Sequence, residues 1–405
     1  MAVSITEALD IISHTIVPLD SEILPIEISV GRVVTQDYVA AFDLPRFNNS
    51  AMDGYAVKVS DAGQTVKCSD VIYAGDDPKM SLVRNTAIKI MTGAPIPAGC
   101  EAIVPIENVS TSGDNITLPS DIQYNGFIRM AGEDIKKDTV FLRKGEMVNA
   151  YTIASLASQG ITHITVTRQI KVAVFGTGDE LRPHFEKIDA HQLYNSNSPM
   201  FLTRSKALGC EVRFIRTSAD TIEALEASIR STLDADIIIT SGGVSVGDKD
   251  FTKVAFTNLG MQVHIDTIDI KPGKPTIIGS IGKTVIVNLP GNPLASMVNY
   301  ELFVRAIIRK MSGRTDHQHA TVTTTMRSDF SVRGGKHAVV LGKFDGESFE
   351  ALKTQMPGMV SPMQEADGLI LITPDVKHLG KGAMVKMIPI SWEFTGKVKE
   401  DLFTR

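Results

Sequence analysis

The sequence predicts a multidomain chain of α/β plus β class: a doubly wound α/β domain, an inserted β domain, and a small C-terminal β domain. Three observations carry this reading. The 405 residues exceed a single core, because a domain typically takes about 100 to 200 residues. From Lys171 onward, short and continuously apolar strands such as Ile237 to Ile239 alternate with helical periodicity, the texture of a parallel sheet covered on both faces. From about Leu44 to Met147 the texture is different: short β-rich pieces (AMDGYAVKV, AIKIM, AIVPI, NITL, TVFL) stand between Gly, Pro, Asp and Asn, without a long helical pattern.

Taken in order, Ile5, Leu9, Ile12 and Ile16 fall at three- to four-residue steps and predict an amphipathic helix over residues 4–16 that Pro18 stops. Such a helix needs a partner surface. Asn149 caps a second helix running through TIASLASQ to Gly160. Helices therefore bracket the β-rich segment, which gives residues 1–43 and 137–167 as a helical and extended linker domain around an inserted β domain at 44–136. The α/β domain follows at 168–315, with KVAVF, a helix from Ser198 to Leu208 stopped by Gly209, EVRFI, TIEALEASIRSTL, ADIIIT, VHIDTI and TVIVNLP. After the polar stretch SGRTDHQHA come TVTTTM, AVVLGKF, GLILIT and MVKMIPI, a β domain at 316–405. The HQH at 317–319 has i, i+2 spacing in a polar linker and reads as exposed histidines, not metal ligands.

Composition excludes several classes. Hydrophobic residues at 43% and charged residues at 21% exclude a fibrous or disordered chain. A formal charge of -5 gives no broad footprint for nucleic acid. The longest apolar candidate, Val298 to Met311, is interrupted by Glu301, Arg305, Arg309 and Lys310, so no membrane-spanning segment is expected. MAVSITEALDII lacks a basic n-region and carries Glu7 and Asp10, which makes it a cytoplasmic N-terminal helix, not a signal peptide. Cys68, Cys100 and Cys210 are widely separated and form no CxxC; they read as reduced, mostly buried thiols.

The segments that can carry chemistry lie at strand ends of the α/β domain. In ADIIITSGGVSVGDKD an apolar strand runs into a glycine-rich turn, where Gly242, Gly243 and Gly247 let backbone N–H groups approach an anion. A bare strand-to-helix connection explains such a turn when it stands alone. Asp248 and Asp250 tilt the balance, because carboxylates beside an anion site invite a hard divalent cation such as Mg²⁺. In IKPGKPTIIG, Lys271 and Lys274 flank Gly273, and like charges held this close favour an anion between them. NLPGNPLAS places Asn292 at a helix cap and Pro293 at the first helical position, leaving N–H groups for an anion or merely capping a helix. KVAVFGTGDEL puts Thr177, Asp179 and Glu180 after another strand. Together these junctions predict a pocket along one sheet edge for a phosphorylated ligand and a metal. The β domain adds FNNSAMDGYAV, IMTGAPIPAG and RMAGED, with Asp53, Thr92, Glu133 and Asp134.

In that order these motifs resemble the molybdopterin molybdenumtransferase family, the bacterial MoeA proteins and the gephyrin E domain: NNSAMDGYAV, IMTGAPIPAG, AGEDI, TGDEL, SGGVSVGDKDFTK, IKPGKP and LPGNP. The resemblance implies a molybdopterin-binding α/β domain and a homodimer whose pocket lies between the α/β domain of one subunit and the β domain of the other. It implies insertion of molybdate into adenylylated molybdopterin, with release of AMP and a requirement for Mg²⁺. By motif position, the catalytic set is Asp53, Thr92, Asp134, Glu180, Asp220, Lys271 and Lys274. The substrate-binding set is Gly242, Gly243, Ser245, Gly247, Asp248, Pro290, Gly291 and Pro293, with Lys336 and Ser361 from the last domain; Glu180 and Asp250 are the metal ligands. The resemblance leaves a molybdopterin adenylyltransferase and molybdoenzyme apoproteins as candidate partners. This chain departs from the family's pattern at Asn48, where many relatives have aspartate, at Lys336, where they have arginine, and in PGMVSP, where they have a serine-rich turn. Two alternatives stand beside the enzyme: a molybdopterin-binding scaffold, and the adenylyltransferase of the preceding step, whose family favours SGGTG where this chain reads SGGVSVGD.

Overall fold

The computed structural model describes residues 2–176, 180–215, 221–242, 251–332 and 334–390. Helix α1 (Ile5–Thr15) starts at Ser4, whose hydroxyl accepts from the Glu7 N–H while the Glu7 carboxylate accepts from the Ser4 N–H, a reciprocal cap. Its apolar stripe, Ile5, Ala8 and Ile12, packs into the core of the α/β sheet against α7 (Arg305–Met311), so the N-terminal helix is covered by the far half of the chain. The extended residues that follow it do otherwise. Ser21–Pro25 pairs antiparallel with His163–Thr167, and Tyr38–Val39 with Val140–Leu142. Together with α2 (Ala150–Ser158), capped by Asn149, they bury Ile26, Val34, Leu142, Val148 and Leu156 around a separate small core.

Between these pairings lies a six-stranded sheet in the order Ala102–Pro105, Gly54–Val57, Thr86–Ile90, Thr65–Ile72, Asn115–Thr117, Ser110–Ser112. Alternating side chains feed a core on each face, Tyr55 and Val57 on one side and Ala56 on the other, as the two-residue period of a strand requires.

The α/β sheet runs Glu211–Phe214, Lys171–Gly176, Ile237–Ser241, Thr284–Leu289, Ile277–Ile281, Gln262–Ile265. Val172, Val174, Ile237, Ile239, Val285 and Val287 face α1, α3 (Asn197–Ala207), α6 (Pro293–Asn299) and α7. Ala173, Phe175, Ile238 and Ile286 face α4 (Ile222–Arg230) and α5 (Phe251–Asn258). The sheet is thus wound on both faces, but it is mixed where the sequence predicts a parallel one. Its first four strands are parallel, whereas Ile277–Ile281 runs antiparallel to Thr284–Leu289, and Gln262–Ile265 antiparallel to Ile277–Ile281. The cause is a tight connection through Gly282, which adopts a φ of 58° and lets the chain fold straight back instead of crossing over through a helix.

The C-terminal residues close a five-stranded barrel of Val322–Met326, Ser348–Ala351, Ala338–Phe344, Gly368–Ile372 and Met384–Pro389, with α8 (Ser361–Glu365) beside it. Val339, Leu341, Leu369 and Ile388 of the barrel join the core of the α/β sheet. Charged groups reinforce this joint. The Glu301 carboxylate, nearly sealed from solvent, accepts from Arg204 at 2.6 and 3.1 Å and pairs with Arg305 at 3.0 Å. Arg305 and Arg204 in turn donate to the carbonyls of Pro389 and Ile390.

The histidines of the linker depart from expectation. His317 and His319 are half-buried, not exposed. His319 Nε2–H donates to the Leu302 carbonyl at 2.6 Å and its Nδ1 accepts from Arg305 at 3.1 Å. Burial, with Arg305 and Arg309 close by, pulls its pKa down to about 4, so the imidazole is neutral in the fold. Spacing within HQH cannot reveal this, because the partners come from the helical stretch before it. Among the described residues, no helix is long and apolar enough to cross a membrane.

Candidate functional site

The carboxyl ends of the parallel strands are in register: Gly176 lies opposite Ser241, and Ser241 opposite Leu289. At this edge Gly242 N–H donates to the Leu289 carbonyl, and a Cβ built on Gly291 would touch Gly242 Cα at 3.7 Å. The turns at 242 and 290–293 therefore run side by side. Asn197, at the start of α3, ties them together, its amide donating to Ser241 Oγ at 2.7 Å and to the Gly291 carbonyl at 2.9 Å. Ser241 and Ser296 both donate to the Pro290 carbonyl. Asn292 occupies the N-cap of α6 with Pro293 in its first turn, but its side chain makes no capping bond. Leu294 N–H donates instead to the Pro357 carbonyl of the barrel, so part of the amide supply at this helix start is already used.

Behind this edge several buried polar atoms have no partner among the described residues. Thr240 donates to Asn288 Oδ1 at 2.7 Å, which leaves Asn288 Nδ2 unpaired; Thr252 Oγ1 of α5 and Asn299 Oδ1 of α6 are unpaired as well. Orphaned buried donors and acceptors cost about 1 to 3 kcal/mol each, and such costs are tolerated where function needs them.

The lysine turn is fastened from two sides. Asn299 donates to the Gly273 carbonyl at 3.2 Å, as does Thr276 at 3.0 Å. Gly273 has a φ of 109°, and a Cβ there would fall 1.8 Å from Asn299 Nδ2, so only glycine fits. On the other side, Lys271 N–H donates to the His337 carbonyl and Val339 N–H to the Lys271 carbonyl, both at 2.9 Å. That two-bond ladder brings Lys336, the neighbour of His337, to the Lys271 turn; Lys271, Lys274 and Lys336 are all exposed. Ser361 lies apart from the lysine turn, at the start of α8, which packs against α6, in a cleft of about 440 Å³ with Lys353 and the Lys343–Glu365 ion pair.

In the β domain, Asp53 Oδ1 accepts from both the N–H and the hydroxyl of Thr92, at 2.7 and 2.8 Å. These bonds hold the Asp53 carboxyl below its ordinary value, first through the backbone N–H and then through the hydroxyl. The strand approach requires Gly54, where a Cβ would lie 2.4 Å from the Val104 carbonyl. Next to Thr92, a cleft of about 460 Å³ is lined by Leu44, Pro45, Asn49, Gly93, Arg129, Glu133 and Asp134. Among the described residues, no hydrogen bond or ion pair joins Asp53, Thr92 or Asp134 to the sheet-edge turns.

Comparison with known proteins decides what this architecture belongs to. Residues 3–160 match the MoeA N-terminal region (domain I and II), 173–310 a probable molybdopterin binding domain, and 323–390 the MoeA C-terminal region (domain IV). Molybdopterin molybdenumtransferase 2 of Mycobacterium tuberculosis is 32% identical over 391 residues, covering 92% of this chain and 95% of that protein. The chain belongs to the molybdopterin molybdenumtransferase family. The family member from Haemophilus influenzae is 36% identical over 301 residues, 73% of this chain and 74% of that one. A crystal structure of a molybdopterin biosynthesis MoeA protein from Pyrococcus horikoshii superposes with a TM-score of 0.81 at 28% identity, covering 97% of this chain and all of that one.

Against the family's motif positions, the structure places Asp53 with Thr92, sets Asp134 on the adjoining cleft, and gathers Gly242, Pro290, Gly291 and Pro293 at one sheet edge. Lys271 and Lys274 share one turn beside Lys336. Glu180 is an exposed carboxylate whose carbonyl accepts from Leu193. Thr177, Asp179, Asp220, Gly243, Ser245, Gly247, Asp248 and Asp250 lie outside the described residues. Among the described residues, no group of three or more His, Cys, Asp or Glu is placed to hold a metal. The buried amides Asn197, Asn288 and Asn299 were missed by sequence reasoning. The one available signal was an asparagine inside an otherwise apolar strand, Asn288 in TVIVNLP.

Proposed function

We propose that this chain inserts molybdate into adenylylated molybdopterin, releasing AMP and forming the molybdenum cofactor. The observation that carries the reading is that Lys271 and Lys274 share one turn whose Lys271 N–H donates to the carbonyl of His337, the chain neighbour of Lys336, with glycine turns and buried amides unpaired among the described residues at the adjoining sheet edge. Ammonium groups held together attract the molybdate dianion, and the turns at Gly242, Gly243 and Gly247, with Ser245, Asp248, Pro290, Gly291 and Pro293, cradle the phosphates and orient the pterin. The two dithiolene thiols bond to molybdenum and their two protons carry off one molybdate oxygen as water; one water adds across the phosphoric anhydride, so that AMP leaves and the pterin keeps its own phosphate. Asp220 and Ser361 border the substrate. Mg²⁺, a hard cation suited to carboxylate oxygen, is held by Glu180 and Asp250 and offsets phosphate charge. Asp53, Thr92 and Asp134 come from the partner subunit of a homodimer. We place the enzyme in the cytoplasm, in keeping with three free cysteines, and take a molybdopterin adenylyltransferase and molybdoenzyme apoproteins as its partners.

The test is molybdate-dependent AMP release from adenylylated molybdopterin, with and without a chelator. Release that requires both molybdate and Mg²⁺ is expected. Binding of the adenylylated pterin without AMP release on molybdate addition would instead identify a scaffold. Subunit sharing is tested by mixing inactive Asp53→Ala and Lys271→Ala chains: heterodimers regain part of the activity if the site is composite, and none if it lies within one chain.

A further inference from the structure

We propose that His337 is a further cationic group of the molybdate corner, binding the oxyanion as an imidazolium that Asp269 holds in place. The proposal rests on the reading of Lys271 and Lys336 as that corner. His337 Nδ1 lies 3.0 Å from Asp269 Oδ2, across the joint between the barrel and the α/β domain. The same residue's carbonyl accepts from Lys271 N–H, and its chain neighbour is Lys336. Asp269 is itself fixed, its N–H donating to the Val3 carbonyl at 2.7 Å. With Nδ1–H given to a carboxylate, Nε2 is the ring nitrogen left over. It has no hydrogen-bond partner among the described residues, and the side chain is 32% exposed.

The chemistry explains why an imidazole here is useful. An ammonium such as that of Lys336 is a point charge without the planar, directional N–H set of a guanidinium. A protonated imidazole beside it supplies a planar, charged N–H donor. The charged groups around it are Asp269 from the segment before the lysine turn, Lys271 from the turn, Lys336 from the barrel, and Lys377, whose stem packs near Gly334. Carboxylates and ammonium groups keep their charge across the neutral range while imidazole does not, and molybdate stays a dianion there. The part of any pH dependence that reports His337 is the difference between the unmodified protein and the His337→Gln variant.

The experiment measures molybdate KM in the AMP-release assay, and calorimetric binding of molybdate alone, between about pH 6 and 8.5, in the full-length protein and in His337→Gln, His337→Lys and Lys271→Ala variants. In the unmodified protein, molybdate KM should rise with pH by up to about tenfold per pH unit, the limit for linkage to one proton. His337→Gln should give a high, pH-independent KM with little change in kcat, and His337→Lys a low and equally flat one. A His337→Gln profile parallel to that of the unmodified protein, with only a lowered Tm, would mean that the His337–Asp269 pair merely pins the barrel, and the proposal falls. Failure of His337→Lys to lower KM at high pH also overturns it. If Lys271→Ala leaves molybdate affinity unchanged, the corner itself has been misread; if only the His337 variants are silent, the corner stands and His337 is outside it.

Discussion

The Asp53 carboxylate in the β domain and the Asn288 amide at the sheet edge show two ways of preparing a site. Asp53 is satisfied within its own domain, since both Thr92 donors converge on one of its oxygens. Asn288 has one side satisfied by Thr240 and the other without a partner among the described residues, in a fully buried position. The first arrangement holds a charged group ready at the surface at little cost. The second leaves polar capacity unspent beneath the glycine turns, at a cost that the surrounding apolar core must offset. A preformed half and an incomplete half are what the proposed site, shared between two subunits, would need.

The largest effect is expected where each half depends on glycine. Gly273→Ala forces a Cβ to within 1.8 Å of Asn299 Nδ2 at a φ of 109°, combining overpacking with backbone strain, and should cost more than about 3 kcal/mol. Gly54→Ala meets the Val104 carbonyl at 2.4 Å and should damage the β domain alone. Urea unfolding followed by hydrogen exchange of each region would show two separate lesions; one shared lesion would break the comparison.

Acid separates the halves next. His319 is neutral in the fold, with a pKa of about 4 against an ordinary 6.5, while in the unfolded chain it protonates near the ordinary value. The unfolded state therefore holds more protons between those two values, and stability falls as pH drops through that window, by up to about 3 kcal/mol. The loss belongs to the α/β and barrel half. His319→Gln, which keeps a donor toward Leu302 and an acceptor toward Arg305, should flatten this dependence. Asp53 acts in the same sense but in a more acid window: its lowered pKa gives stability that is present above the ordinary carboxylate value and lost as pH falls through the folded one. Thermal unfolding at stepped pH, with and without the His319 substitution, measures the difference.

How far the sequence reaches is clear from these same residues. Helix α1 was legible because its apolar stripe is local, but its partner surface, α7, lies some three hundred positions away and leaves no local trace. The wound sheet was legible from apolar runs, yet its antiparallel edge was not, because Ile277–Ile281 sits inside a segment whose prolines and lysines dominate its pattern. The candidate site divides in the same way. Glycines, lysines and carboxylates announce themselves by type and spacing. The buried amides Asn288 and Asn299 and the Asp269–His337 pair depend on tertiary contacts, and so does the neutrality of His319.

Lys271 tests the incomplete half through its chemistry. Exposed ammonium groups on one short turn repel when no anion is present, so Lys271→Ala should leave Tm unchanged or raise it. Losing one charge-assisted contact typically costs about 1.5 to 3 kcal/mol, or roughly ten-fold to more than a hundred-fold in apparent molybdate affinity. AMP release against molybdate concentration, run beside thermal unfolding, gives both numbers. A drop in stability with normal molybdate dependence would make the turn structural and leave the sheet edge without its anion.

The smallest expected effect is the most pointed. Lys336 is exposed and stands one residue from the ladder that joins the barrel to Lys271. Lys336→Arg keeps the charge and replaces a compact ammonium with a planar fork that can grip two oxygens at once. Since the position is open to solvent, the added contact is weak, below about 1 kcal/mol, which is a gain of at most about fivefold in molybdate affinity. Stability should not move. If His337 already supplies the directional donor, the gain should be larger in a His337→Gln background than in the unmodified protein, because the two groups then compensate for each other. A double-mutant cycle on molybdate KM reads that coupling directly. Strict additivity would show that Lys336 and His337 do not share an anion, and would confine the oxyanion corner to the Lys271 turn.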